Sequence, residues 1–392
     1  MIDTMTIFEK IPIDKTSISQ GELDIDNKTR SNLFAWNGQF SPQFVEALLS
    51  HYAQDGDVVI DPFAGSGTTL CEAARKGISA YGMELNASAY YMAKTYELAN
   101  KSLPERKVLI DSVEQILTSI SKTDEILPTI TRAIQQNNPS ALSALLSTLI
   151  ILIDLFNNEL SISLLHTKWT GLKKTVLEIP FSTAQIKVDM GDSRKLGCNS
   201  GEATLLITSP PYINVFNYHQ KYRRSVEALG YDVLAIAKNE FGSNRKNRGN
   251  RLLTVIQYCI DMALSIKEAM RACCQNARMI YVVGRESNVL GYSFCNSRLI
   301  FEIATEIFQL PFLLRQERAF KNRFGQMIYE DILHFENAQT EKFLSEEDIE
   351  DAARSIAVRI LSEKAQMYPD SKNIELIFEA IERAENVNRS EG

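Results

Sequence analysis

The sequence predicts an α/β chain built on a doubly wound, largely parallel sheet. Two stretches carry that expectation. Residues 58–84 read as strand, glycine-rich loop, helix and a second strand ending on an acid, the opening of such a sheet. Residues 204–212 read as a later strand closed by a Pro-Pro turn, at the end of the sheet where α/β ligand crevices form.

Taken in order, residues 1–30 are polar and irregular and read as an N-terminal arm. The first half of the α/β domain spans 31–99. In it Ser41-Pro42 starts a helix, with Phe44, Val45, Leu48 and Leu49 at helical spacing. Asp55-Gly56-Asp57 turns into the buried strand Val58-Val59-Ile60. A helix from Leu70 to Lys76 closes at Gly77, and the strand from Ile78 ends at Glu84. Residues 100–180 break the alternation with Leu/Ile-rich helical stretches, Ala141 to Leu155 above all, and read as a helical insertion. The second half, 181–336, resumes with Ile186 to Met190, Thr204 to Thr208 and Met279 to Val283 as parallel strands, and 331–336 as a late edge strand. Residues 337–392 form an acidic helical C-terminal extension.

Composition narrows the function. With 392 residues, 45% of them hydrophobic, the chain can bury a sizeable core. No apolar run reaches membrane-spanning length, and the polar start lacks a signal-peptide core. Six cysteines without a CxxC pair argue for a reduced, cytoplasmic protein with neither a zinc site nor a disulfide framework. A net charge of −7 argues against simple coating of nucleic acid. The average hides an asymmetry, however: 208–330 hold about 17 Lys/Arg against 10 Asp/Glu, and 331–392 about 7 against 15. One basic face is expected.

Three nucleotide-site readings compete for Asp61-Pro62-Phe63-Ala64-Gly65-Ser66-Gly67-Thr68-Thr69. A P-loop needs lysine where Thr68 stands. A dinucleotide fingerprint needs a third small residue where Leu70 stands. S-adenosyl-L-methionine (AdoMet) has no pyrophosphate to cradle and fits. Gly65 and Gly67 are expected to permit positive φ and close backbone approach to that ligand. Glu84, at the strand end, can accept both ribose hydroxyls, and Asp192, after the third strand, can accept the adenine amine.

Thr208-Ser209-Pro210-Pro211-Tyr212 holds the candidate chemistry. An aromatic amine is a poor nucleophile because its lone pair is delocalised into the ring. Two acceptors, the Ser209 hydroxyl and the Pro210 carbonyl, would draw the nitrogen towards tetrahedral geometry. Tyr212 would stack on an extruded base. No metal and no covalent nucleophile are required, and none of the six cysteines follows a proline.

These residues resemble the amino-directed, AdoMet-dependent DNA methyltransferases. DPFAGSGTT is similar to their cofactor motif, and TSPPY to the variant typical of the cytosine-N4 enzymes, adenine-N6 members usually having Asp or Asn in place of Ser209. Gly38 to Phe44 resembles the segment that closes over the methionine part of AdoMet. The resemblance covers 36–95 and 186–336. It implies a Rossmann-like class I methyltransferase fold, with AdoMet held by Phe40, Ser41, Asp61, Phe63, Gly65, Ser66, Gly67, Thr68, Thr69, Glu84 and Asp192. Catalysis would fall to Ser209, Pro210, Pro211 and Tyr212. The chain departs from many TSPPY enzymes in placing the catalytic motif after the cofactor motif, and in its long insertion.

Two basic stretches follow the catalytic motif. Lys221, Arg223 and Arg224, then Arg245, Lys246, Arg248 and Arg251, are expected to face double-stranded DNA with a flipped target base. His219 has no second His or Cys at ligand spacing and reads as structural or DNA-facing. The implied setting is restriction-modification or host defence, with a cognate restriction endonuclease or defence subunits as partners. An adenine-N6 or RNA-base methyltransferase and a non-catalytic nucleic-acid-binding subunit are the rival readings; an intact cofactor loop argues against the last.

Overall fold

Seven strands form one sheet in a computed structural model that describes residues 6–213, 218–241, 247, 249–321, 325–338 and 344–391. The strands are β1 (Val58–Asp61), β2 (Ser79–Glu84), β3 (Ile186–Met190), β4 (Ala203–Thr208), β5 (Cys273–Gly284), β8 (Phe312–Lys321) and β9 (Met327–Glu336). A separate hairpin pairs β6 (Glu286–Val289) with β7 (Tyr292–Cys295). The sheet order is β3-β2-β1-β4-β5-β9-β8. β1 to β5 run parallel, β9 is antiparallel to β5, and β8 is antiparallel to β9. This is the Rossmann-like class I methyltransferase sheet.

Strand periodicity splits the core between the two faces. Val59, Leu205, Ile207, Ile280 and Val282 join one core with the Pro42–Tyr52 and Thr68–Lys76 helices. Ile60, Leu206, Met279, Tyr281 and Val283 join the other, with the Leu253–Ala272 helix. The central strands β1, β2 and β4 are buried on both sides, which is why they read as continuous apolar runs.

Between β2 and β3 lie the helices Ala87–Thr95, Leu103–Thr118, Ile126–Asn137, Ala141–Ile153 and Ile162–Glu178. Ala141–Ile153 packs on Ala87–Thr95. Arg106, 2% exposed, is spent on main-chain carbonyls, donating to Leu98 (2.9 Å), Val176 (3.3 Å), Ile179 and Pro180 (3.1 Å). It ties the start of the Leu103–Thr118 helix to the chain leaving Ile162–Glu178. The Glu346–Met367 helix packs on Leu253–Ala272.

Two expectations need correction. The 331–336 segment lies in β9, an internal strand, and the edge is β8. The arm is not irregular throughout. Ile13 bridges Arg315, the Gln20 amide donates to the Glu317 carbonyl (2.9 Å), and Asp24 accepts from the Ala319 N–H (2.7 Å). Ile18 and Leu23 are buried beneath it. The arm thus covers the open edge of β8, which would otherwise present unpaired backbone groups.

Candidate active site

β1 is flanked by β2 and β4, and the chain reverses its direction of strand addition between β1 and β4. The loops leaving these two strands therefore diverge and open a crevice at their carboxyl ends. The cavity in this crevice is lined by Asp61, Phe63, Gly65 and Thr68 from the glycine loop, by Glu84 and Asp192, and by Ser209, Pro211 and Tyr212. Both sequence motifs thus meet in one wall.

Asp61 joins them. Its Oδ2 accepts from the Thr69 hydroxyl (2.7 Å), and its Oδ1 from the Thr208 hydroxyl (2.6 Å) and the Phe63 N–H (3.2 Å). One buried carboxylate so locks the cofactor loop to the first residue of TSPPY, and burial pushes it up to about 6.

The two glycines do different work. Both have positive φ, 53° at Gly65 and 89° at Gly67. A Cβ on Gly65 would come 3.6 Å from the Trp36 ring at the cavity wall. A Cβ on Gly67 would lie 2.8 Å from the Tyr96 ring and 2.9 Å from the Ala93 main chain. Close approach to a ligand, expected of both, therefore belongs to Gly65. Gly67 lets the Thr68–Lys76 helix start against the Ala87–Thr95 helix.

Glu84 sits where an acid was expected. Its carboxylate accepts from the Gly65 N–H (2.8 Å) and the Asn86 N–H (2.7 Å). Burial nevertheless pushes it up to about 7, helped by the nearby charges of Asp61 and Glu240. Asp192 is gripped by Arg194, which donates from Nε (3.0 Å) and Nη2 (2.5 Å). Arg194 in turn donates to Asp261 (2.7 Å) and to the Ser390 carbonyl (2.9 Å), so the acidic tail ends beneath the cofactor side of the crevice.

Phe40 lines the cavity, but Ser41, Ser66, Gly67, Thr69 and Pro210 do not. Ser66 donates to the Gln39 amide oxygen (2.6 Å) and holds the Gly38–Phe40 stretch to the loop. Ser41 caps the Pro42–Tyr52 helix position without a side-chain bond. Pro210 is buried.

Sequence reasoning missed Trp36, Tyr218, Glu240 and Phe241 in the same wall. Trp36 stacks on Tyr218 at 6.1 Å, and Phe241 meets Phe63 edge-on at 5.4 Å. Glu240 is held at 2.8 Å by buried His219, while its buried Oε1 has no hydrogen-bond partner among the described residues. His219 therefore has a structural partner. Trp36, directly ahead of the Gly38–Phe44 segment, could have been suspected from the sequence. The others come from segments distant in the chain.

Of the basic residues, Lys221 is engaged. Its ammonium lies 4.8 Å from the Trp36 ring and donates to the Ala35 carbonyl (3.2 Å), so it clamps the Trp36 segment. Arg223 pairs with Glu227 at 2.8 Å, and Arg224 lies over the exposed Phe156 ring. Arg251 is half-buried. Arg245, Lys246 and Arg248 lie outside the described residues.

Residues 15–95 match the N6/N4 methyltransferase family described as DNA methylase. Over that segment the chain is similar to the N6/N4 DNA methylases. The methylase segment contains the whole glycine loop and Glu84. Over 80 residues the chain is 32% identical to the Type II methyltransferase M.MjaII of Methanocaldococcus jannaschii, covering 20% of this chain and 15% of that protein. The chain thus spans about a sixth of the curated relative's length. Solved structures with a similar fold include a SAM-dependent methyltransferase from Methanosarcina mazei, at 10% identity and TM-score 0.37, covering 75% of this chain and 98% of that one. Another is TrmN from Thermus thermophilus, at 15% identity and TM-score 0.33, covering 76% and 50%.

The residues present fit AdoMet as the cofactor. Four carboxylates, Asp61, Glu84, Asp192 and Glu240, line the cavity, and among them Asp192 has an arginine partner. The surplus of negative charge suits a sulfonium. For that ligand Glu84 would offer an acceptor to ribose hydroxyls and Asp192 one to the adenine amine, with Phe63 and Phe241 as apolar wall.

Proposed function

We propose that this protein transfers a methyl group from AdoMet to the exocyclic N4 amine of cytosine in DNA. One observation carries the reading: Ser209 and Tyr212 line the same cavity as Glu84 and Asp192, so an acceptor hydroxyl and a stacking ring share the wall of the cofactor site. AdoMet, when bound, supplies the methyl group and the leaving group. The chain's own work is then orientation and electrostatics. The Ser209 hydroxyl and the Pro210 carbonyl accept the two amine hydrogens. Tyr212 offers its ring to a base swung out of the duplex. Serine rather than Asp or Asn ahead of Pro-Pro favours cytosine over adenine.

Arg223, Arg224 and Arg251, with Arg245, Lys246 and Arg248, would contact the phosphates of double-stranded DNA. The setting that suits this activity is cytoplasmic restriction-modification or host defence, beside a cognate endonuclease or defence subunit. Single-turnover transfer of labelled methyl groups to duplex DNA and to RNA tests the reading. Transfer to DNA that falls with Ser209→Ala, at unchanged AdoMet affinity, is the expected result. Transfer to RNA alone would overturn the substrate assignment, and wild-type turnover by Ser209→Ala the catalytic one.

A further inference from the structure

Tyr212 leaves β4, yet its ring ends over two other strands. The Tyr212 hydroxyl donates to Glu330 Oε1 at 3.2 Å, 118 residues away on β9. Glu330 is paired in register with Gly284, the last residue of β5. Against Gly284 the ring lies so close that a Cβ there would come 2.6, 2.8 and 3.0 Å from the tyrosine Cε2, Cζ and Cδ2 atoms. Gly284 has no positive φ. Its lack of a side chain therefore serves the ring and not the backbone.

The far side of Glu330 is also fixed. Its Oε2 lies 3.1 Å from Arg318 Nε on β8, and both side chains are largely buried. The Arg318 guanidinium lies over the rings of Phe44 (4.2 Å) and Phe320 (4.6 Å). With Oε2 turned to the Arg318 guanidinium, the other oxygen, Oε1, accepts from Tyr212. Burial and the Glu330 charge keep the phenol protonated far beyond neutral pH, so it stays a donor.

We propose that Gly284 and Glu330 are positioning residues for Tyr212, with Arg318 fixing Glu330, so that the β5–β9–β8 end of the sheet sets the plane on which the target base stacks. This rests on the reading of Tyr212 as the stacking ring. A tyrosine on a loop would otherwise sample several rotamers, and each misplaced ring lowers the fraction of bases presented in line. Gly284 also sets the depth of the base site, because any side chain there must push the ring into the cavity.

A double-mutant cycle tests this, using single-turnover methyl transfer at saturating DNA with AdoMet affinity measured on the same samples. Tyr212→Phe and Glu330→Ala should each slow transfer by about tenfold, the worth of one charge-assisted hydrogen bond, at unchanged AdoMet affinity. The double variant should be no slower than the slower single one. Glu330→Gln, which keeps an acceptor, should recover most of the rate. Gly284→Ala should slow transfer further than either, yet add nothing in a Tyr212→Ala background. Independent, multiplying losses, or parallel losses of AdoMet affinity and transfer, would overturn the proposal by making these residues merely structural. Absence of transfer to any DNA by the wild-type chain would overturn the reading of Tyr212, and the proposal with it.

Discussion

The glycine loop and Tyr212 face the same cavity but are held in opposite ways. The loop is fixed by close neighbours: Asp61 with Thr69 and Thr208, Ser66 with Gln39, Thr68 with Asn32 (2.8 Å), and the Gly65 N–H with Glu84. Four of these five ties stay within residues 15–95, and the fifth, Asp61 to Thr208, joins that segment to β4. Tyr212 depends on Gly284 and Glu330, far along the chain. The glycine loop can thus be built largely as one local unit, whereas the Tyr212 ring is set by the late, antiparallel part of the sheet. Changes on the two sides should separate binding from chemistry.

The largest expected effect is on the fold. Gly67→Val must place a branched side chain against Tyr96 and Ala93 at positive φ, a combined cost of about 3 kcal/mol or more. Denaturant titration should show a large drop in midpoint. Gly65→Ala meets only the Trp36 ring at 3.6 Å, so it should stay folded and lose AdoMet affinity in calorimetry. Equal losses of stability in the two variants would erase the distinction between the glycines.

Next in size is Tyr212→Ala. It removes a stacking platform worth about 1–3 kcal/mol and should slow methyl transfer accordingly, with AdoMet affinity nearly intact. A variant that loses AdoMet affinity instead would place the ring on the cofactor side.

The sequence spoke most clearly where structure is local. Strand, loop and acid at 58–84 lie within one supersecondary unit, so their spacing alone indicates a site. β8 escaped notice because its alternation is disguised by charge. Arg315 and Arg318 are buried, neutralised by Asp331 (2.9 Å) and Glu330 (3.1 Å) on β9. Only the cross-strand register makes those arginines acceptable in a buried strand. Tyr218, Glu240 and Phe241 were invisible for a related reason: their shared cavity exists only after distant segments pack. The glycines show a finer limit. Positive φ was readable at 65 and 67, but what each Cα approaches was not.

A smaller effect is the pH dependence of cofactor binding. Folding raises the Glu84 carboxyl from its usual range to about 7. Its contribution to stability is therefore fully present below about 4.5 and is lost as pH rises through 7. The ionised form is the stronger acceptor for ribose hydroxyls. AdoMet affinity should accordingly rise by up to about tenfold per pH unit below 7 and level off above it. Glu84→Gln should bind more weakly and without that slope. An identical slope in the variant would assign the proton elsewhere.

The smallest changes concern phosphate contacts. Neutralising Arg245, Lys246 and Arg248 together should lessen the salt dependence of DNA binding by about one counterion per lost contact, leaving AdoMet affinity alone. Lys221→Gln should leave the salt slope where it was, because that ammonium is occupied by Ala35 and Trp36. If Lys221 alone moved the slope, the two basic stretches would exchange roles.

The most direct test of the central claim is the identity of the methylated base. Expression of the chain in a methylation-free host, followed by nucleoside analysis and modification-sensitive sequencing of the DNA, should find N4-methylcytosine in a fixed sequence context, and none with Ser209→Ala. N6-methyladenine in its place, or unmodified DNA from a chain that binds AdoMet, would contradict the account.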